Sequence, residues 1–251
     1  MTKLDRRSLI TAIVAAAACG LAGCTTTTPA PVAQSYGVPA SGTGPEAAKL
    51  AGGDSPSYRE IYAPVTTEKF QVAAVNLAQI EPQFLRKEVD YVTEEPPGTI
   101  VVDPAEHYLY YVQSGGRATR YGVGVGREGF VWSGKATIHS KQEWPDWYPP
   151  KDMLARRPDL KPHLKQLQSG IGMAGGPANP IGARGMYLWQ GNQDTYFRIH
   201  GTNEPWTIGK SMSSGCIRMI NQDAIDLYAK AGVGTKVVVL GGAKPAKVAG
   251  M

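Results

Sequence analysis

The chain has 251 residues, with 26 Lys+Arg against 21 Asp+Glu and a formal net charge of +5. It contains no dense basic run interleaved with aromatics, so nucleic-acid binding finds no support. Cysteine occurs three times, at Cys19, Cys24 and Cys216, too few and too unevenly spaced for a disulfide framework.

Residues 1–23 read as an export signal. Lys3, Arg6 and Arg7 form a basic start, and Leu9 to Ala18 form an apolar stretch too short for a permanent membrane span. The run Asp5-Arg6-Arg7-Ser8-Leu9-Ile10 fits either a weak twin-arginine signal or an ordinary charged start, and both readings stay open. The segment ends in Leu21-Ala22-Gly23-Cys24, which resembles a bacterial lipobox with Cys24 as the lipidation site. Cys19 would leave with the signal. Lipidation of Cys24 would then leave Cys216 as the sole thiol, unable to form an intramolecular disulfide in an oxidising compartment. A thiol kept there points to chemistry. The expected location is the periplasm, with the protein held at a membrane only through its N-terminal lipid. The outer membrane is favoured because Thr25 stands where some bacteria use Asp for inner-membrane retention.

Residues 24–65 are rich in Thr, Pro, Ala and Gly and cannot bury enough surface to offset their ordering entropy. They read as a disordered tether, and about forty flexible residues span roughly 35 Å end to end. Residues 66–97 read as a lead-in packed on one domain, 98–241, with 242–251 as a flexible tail.

The domain pattern is mainly β. Thr99-Ile-Val-Val102, His107 to Val112 and Thr119 to Val125 are β-branched and aromatic runs separated by turn-like stretches. Met186-Tyr-Leu-Trp189 and Tyr196-Phe-Arg-Ile199 bracket a hairpin loop, and Lys236-Val-Val-Val-Leu240 is a short apolar strand near the end. Asn221 is placed to cap a helix reaching about Ala231, and Pro149 to Leu167 is a weaker helical stretch broken by prolines.

His200 closes an apparent strand, and Cys216 follows a glycine. A cysteine nucleophile needs thiolate character, which a histidine and local backbone N–H groups can supply. Gly215 lets the chain approach a substrate, and its backbone is the expected oxyanion donor. Taken alone, a solitary cysteine can equally be a small buried hydrophobe and a solitary histidine a core residue. Zinc would want three or four ligands, and His107, His139 and His163 are not at ligand spacing with this pair. No metal and no cofactor are expected.

The composite pattern is more specific. Ile199-His200-Gly201-Thr202-Asn203-Glu204, Ile208-Gly209, Ser213-Ser214-Gly215-Cys216-Ile217-Arg218-Met219, and then Asn221 and Asp223, resembles the YkuD-type L,D-transpeptidase catalytic domain of the ErfK, YbiS and YcfS kind. Gly98 to Val102, Tyr121 to Gly126, Asn179-Pro180-Ile-Gly182 and Gly234 to Leu240 extend the likeness to roughly residues 95–241. The resemblance implies a sandwich or barrel of mixed strands with one or two short helices. It also implies peptidoglycan chemistry on stem peptides, with Cys216 as nucleophile, His200 as base, and the Gly201 carbonyl orienting the histidine. Ser214 stands where some members carry histidine.

Arg218 is read either as the partner of a substrate carboxylate or as a structural arginine holding the cysteine loop. Trp144, Trp147 and Tyr148 lie in a proline-rich loop and are read as lining the cleft or as simple packing, whereas Tyr187 and Trp189 are expected in the core. The acceptor is left open: another stem's amine giving a 3–3 cross-link, a free D-amino acid, or an amine on an outer-membrane protein. The alternatives are a cysteine hydrolase of the same fold, acting as an L,D-carboxypeptidase or amidase, and a non-catalytic wall-binding lipoprotein. A monomer is expected.

Overall fold

In a computed structural model, residues 57–127, 132–213 and 215–241 are described. The expected export signal (1–23), Cys24, Ser214 and residues 242–251 therefore lie outside the described residues, as does most of the segment read as a tether.

The short helix α1 (Tyr58–Ile61) opens the described chain. Nine strands among the described residues form one mixed sheet: β1 (Lys87–Asp90), β2 (Ile100–Asp103), β3 (Tyr108–Gln113), β4 (Arg117–Gly122), β6 (Gly134–Glu143), β9 (Arg184–Gln190), β10 (Gln193–His200), β12 (Ile217–Arg218) and β13 (Lys236–Val239). Their spatial order is β1-β4-β3-β2-β13-β6-β9-β10-β12. Two smaller ribbons complete the β structure. One pairs β5 (Val125–Gly126) with β11 (Ser211–Ser213), and the other pairs β7 (Lys165–Leu167) with β8 (Gly170–Gly172). Two more helices follow the chain, α2 (Lys151–Arg156) and α3 (Asn221–Lys230).

The central strands are apolar because both their faces are covered. Ile100, Val101 and Val102 of β2 are all buried, and β2 runs parallel to β13 in register Ile100↔Val237 to Val102↔Val239. Strands nearer the site alternate instead. Met186 and Leu188 of β9 point into the core, while Tyr187 and Trp189 face the other way. Helix α3 lays Ala224 and Leu227 against this same core, with Ala231 as its C-cap. The sheet also folds back on itself. Gly124, just beyond β4, exchanges backbone hydrogen bonds with Arg218 of the last strand, at 2.8 and 2.9 Å. This closure brings the β10–β12 end, where His200 and Cys216 sit, against the β4–β5 turn.

Residues 57–65 depart from the tether reading. Tyr62 is 1% exposed and joins Ile80, Phe84, Leu85, Ile208 and Ile220 in a second core. Its hydroxyl donates to Asp223 of α3 at 3.1 Å and accepts the Arg86 N–H at 2.7 Å. Gln222 Nε2 donates to the carbonyls of Ala63 and Ala73. Residues 57–65, assigned to the tether on composition, are thus built into the domain by two or three well-placed side chains that a composition average hides.

The Pro149–Leu167 stretch resolves into α2, a 3-10 turn at Pro158–His163 and strand β7. Pro158 and Pro162 account for the break, since neither offers a backbone N–H.

Candidate active site

Strands β10 and β12 run parallel with Ile199 opposite Ile217 and His200 opposite Arg218. Ile199 and Ile217 are buried in the core, so alternation sends His200 and Arg218 to the opposite face. Cys216 lies two residues before Arg218 and shares that face. All three line one cleft of about 1590 Å³. His200 is 4% exposed and Cys216 half-buried.

His200 is held on several sides. Its carbonyl accepts the Met219 N–H at 2.8 Å, and the following Gly201 N–H donates to Arg184 at 3.0 Å. Its Nδ1 lies 2.5 Å from the Gly201 carbonyl. A carbonyl only accepts, so Nδ1 carries the hydrogen and Nε2 keeps its lone pair. Burial, followed by the Arg218 charge, pushes the imidazole down to about 4, against the pull of the Gly201 and Ile181 carbonyls. Burial also pushes the Cys216 thiol up, opposed by the Arg198 backbone N–H and by the Arg198 and Arg218 charges. At neutral pH the cleft therefore holds a neutral thiol and a neutral imidazole. Such a pair reacts by general-base proton removal as the nucleophile engages.

Ser213, Asn221 and the glycines packed against Asn221 fix the backbone around the pair. Ser213 Oγ donates to the Cys216 carbonyl at 2.7 Å and accepts the Gly215 N–H at 3.1 Å. The Gly215 N–H, expected as an oxyanion donor, is engaged by Ser213 in this structure. Asn221 is the first residue of α3, with Ile220 at the cap position. Instead of capping, Asn221 Oδ1 accepts the Ala183 N–H and Nδ2 donates to the Thr202 carbonyl, both at 2.9 Å. It thus ties together the two loops that flank His200. A Cβ at Gly201 or at Gly182 would overlap Asn221 Oδ1, which explains both glycines.

The aromatic trio divides. Trp147 and Tyr148 line the cleft. The Trp147 backbone exchanges two 2.8 Å bonds with Met173, and the Tyr148 hydroxyl accepts the Ser169 N–H at 3.3 Å. Trp144 does not reach the cleft. A turn at φ 47° sends it inward, where it is 6% exposed, edge-on to Phe70, with Nε1 donating to Glu68. Glu68 also receives the Arg184 guanidinium through two bonds, so the buried charge is paired.

Several cleft residues escaped the sequence reading. Tyr187, expected in the core, is on the cleft wall, with its hydroxyl donating to Gln142 at 2.9 Å and Arg198 over its ring at 4.7 Å. Its membership of the same sheet face as Arg198 was available only from the register. Segment 150–169 contributes Met153, Leu160 and Gln168 to the lining. Arg218 donates through Nη1 to Glu204 Oε2 at 3.1 Å.

His200 at the end of β10 and Cys216 just before β12 share one open cleft in a mixed sheet that closes on itself, and such a thiol–imidazole arrangement is chemically able to carry acyl transfer. Residues 97–239 match the model of the YkuD L,D-transpeptidase catalytic domain, and the chain belongs to that family. It is 32% identical over 149 residues to the probable L,D-transpeptidase ErfK/SrfK of Escherichia coli (strain K12), covering 56% of this chain and 43% of that protein. It is also 32% identical over 143 residues to the probable L,D-transpeptidase YbiS of the same strain, covering 55% and 43%. The chain thus spans less than half the length of these two relatives. A solved structure described as a probable carnitine operon oxidoreductase from Brucella melitensis is 52% identical, covers 66% of this chain and 99% of that one, and has a TM-score of 0.43.

Proposed function

We propose that the protein is a peptidoglycan L,D-transpeptidase with Cys216 as nucleophile and His200 as general base. The observation that carries this reading is the shared face of β10 and β12, which turns both side chains into one cleft. The donor is a tetrapeptide stem whose third residue, meso-diaminopimelate, is joined through its L-centre to a terminal D-Ala. Cys216 Sγ attacks that carbonyl carbon while His200 Nε2 takes the thiol proton. The C–N bond then breaks, His200 returns the proton to the departing D-Ala amine, and a thioester remains. An acceptor amine attacks the thioester, His200 takes the amine's proton, and the thiol is released and reprotonated. Trp147 and Tyr148 supply apolar wall to the bound stem, and Arg218 faces its carboxylates.

The acceptor is an amine of a second stem, giving a 3–3 cross-link, or of an outer-membrane protein being attached to the wall. Lipidation at Cys24 would hold the domain at the periplasmic face of a membrane, and residues 25–56 would give it reach. Mass spectrometry of muropeptides from wild-type and Cys216→Ala cells tests the reaction, because the product that disappears identifies the acceptor. A Cys216→Ala strain with unchanged muropeptides removes the proposal.

A further inference from the structure

Arg198, Arg157 and Arg218 each meet a carboxylate in the cleft, and the first two pairs are closed. Arg198 grips both oxygens of Asp194 at 2.7 and 2.8 Å. Arg157 grips both oxygens of Asp159 with bonds of 2.8 to 3.1 Å. Each fork has spent its planar donor face on its own carboxylate. The third pair is different. Arg218 and Glu204 meet through one nitrogen and one oxygen at 3.1 Å, and the Glu204 side chain is 41% exposed. An open cation and an open anion therefore stand side by side in the cleft that holds Cys216.

Both are rigidly seated. The Arg218 backbone is locked to Gly124 through its N–H and its carbonyl. The Glu204 N–H donates to Thr202 Oγ1 at 3.0 Å, and its carbonyl accepts from the Thr207 N–H and hydroxyl. The pair is thus pre-positioned rather than tethered on a loose loop.

We infer that Arg218 and Glu204 together form a subsite for a zwitterionic amino-acid terminus, with Arg218 taking the carboxylate and Glu204 the ammonium. This rests on the transpeptidase reading and specifies which part of the donor the subsite reads: the distal end of the diaminopimelate side chain, which carries both charges on one carbon. The reach agrees. Five carbon–carbon bonds of about 1.5 Å separate the scissile carbonyl from that carbon, roughly 6 Å when extended. Arg218 stands two residues beyond Cys216, and two residues of extended backbone rise about 6.6 Å, a length of the same order. A neutral or singly charged side chain of the same length would leave one member of the opened pair unmatched.

The test measures D-Ala release, as kcat/KM, for wild type and Glu204→Gln on four donors. These are the diaminopimelate tetrapeptide, the same peptide acetylated on its distal amine, one with L-lysine as third residue, and one ending in D-alaninamide. Wild type should lose roughly tenfold or more on the acetylated and lysine donors, the scale of one charge-assisted hydrogen bond. Glu204→Gln should lose about as much on the parent donor yet treat parent and acetylated donors alike. Equal loss on every donor, or a wild type indifferent to acetylation, overturns the subsite. Loss confined to the D-alaninamide donor also overturns it, because the pair would then read the terminal carboxylate. Should wild type release D-Ala from none of them, the transpeptidase reading fails separately. Calorimetric binding of the diaminopimelate tripeptide to Cys216→Ala, with and without Glu204→Gln, then decides the subsite alone: weaker binding in the double variant supports it, and equal binding ends it.

Discussion

Ser213 grips Cys216 from behind, its Oγ donating to the Cys216 carbonyl at 2.7 Å while accepting the Gly215 N–H at 3.1 Å. One hydroxyl thus fixes the peptide units on both sides of the step into the proposed nucleophile. Ser213 is 3% exposed, so water does not readily replace it. Removing the hydroxyl in Ser213→Ala leaves two groups short of partners, at a cost of about 1–3 kcal/mol each. The expected outcome is a folded protein whose kcat falls roughly ten- to a hundredfold, a barrier increase of about 1.4–2.7 kcal/mol, with little change in KM. Steady-state D-Ala release with a thermal melt alongside checks it. A fall in KM effectiveness alone would show that the hydroxyl serves binding.

The proton inventory of the pair gives a pH signature. His200 is held down to about 4 by burial and by Arg218, and the Cys216 thiol is held up by burial. The base is therefore in its working, neutral form above about pH 4, and kcat/KM should fall only as acid protonates it through that value. A preformed thiolate–imidazolium pair would instead make the thiol reactive across the acid range. Iodoacetamide alkylation of Cys216 should be slow at pH 5–7 and rise only toward alkaline pH, followed by intact mass. Arg218→Gln removes the second-largest influence on His200 and should shift the acid limb upward.

Much of this arrangement was readable in the chain. Strands β2, β3 and β13 announced themselves through β-branched and aromatic runs, whose Ile100, Val102, Leu109, Val112, Val237 and Val239 are buried. His200 and Cys216 stood out because the surrounding Ser-Gly-Cys and His-Gly-Thr patterns are specific. What could not be read was partner choice across long separations. Asn221 looked like a helix cap because the helix begins there, yet its amide is used by Ala183 and Thr202, 38 and 19 residues away. Trp144 and Trp147 are three residues apart in one proline-rich loop, and only the φ of 47° at Trp144 decides that one turns inward. Tyr187 reads as core because its strand is apolar, although it occupies the face that β10 and β12 leave open to the cleft.

The Gly201–Asn221 contact predicts a rescue. Gly201→Ala would drive a methyl into Asn221 Oδ1 and displace the carbonyl that fixes the His200 tautomer. Activity should drop by roughly tenfold or more, equivalent to about 1.4 kcal/mol, while the protein stays folded. Asn221→Ala alone loses two hydrogen bonds and should destabilise by about 1–3 kcal/mol. Combining the two opens the space the methyl needs. The double variant should therefore be more active than additivity predicts, a coupling that a double-mutant cycle on kcat/KM measures directly. Simple additivity would mean that the two residues do not act on the histidine through one another.

The two tryptophans should separate stability from binding. Trp144 is packed on Phe70 and bonded to Glu68, so Trp144→Ala opens a core void and removes one of the hydrogen bonds to Glu68, which keeps those from Arg184. Its expected cost is about 3–5 kcal/mol of unfolding free energy, read from denaturant melts, with KM unchanged in whatever fraction remains folded. Trp147 lines the cleft, and its backbone pairing with Met173 survives truncation of the side chain. Trp147→Ala should leave the melt nearly unmoved and raise KM for the donor stem by roughly tenfold, about 1.4 kcal/mol of lost contact. If Trp144→Ala raised KM while Trp147→Ala did not, the wall of the cleft would have to be redrawn around the inward-facing ring, and the role of the φ 47° turn would be reversed.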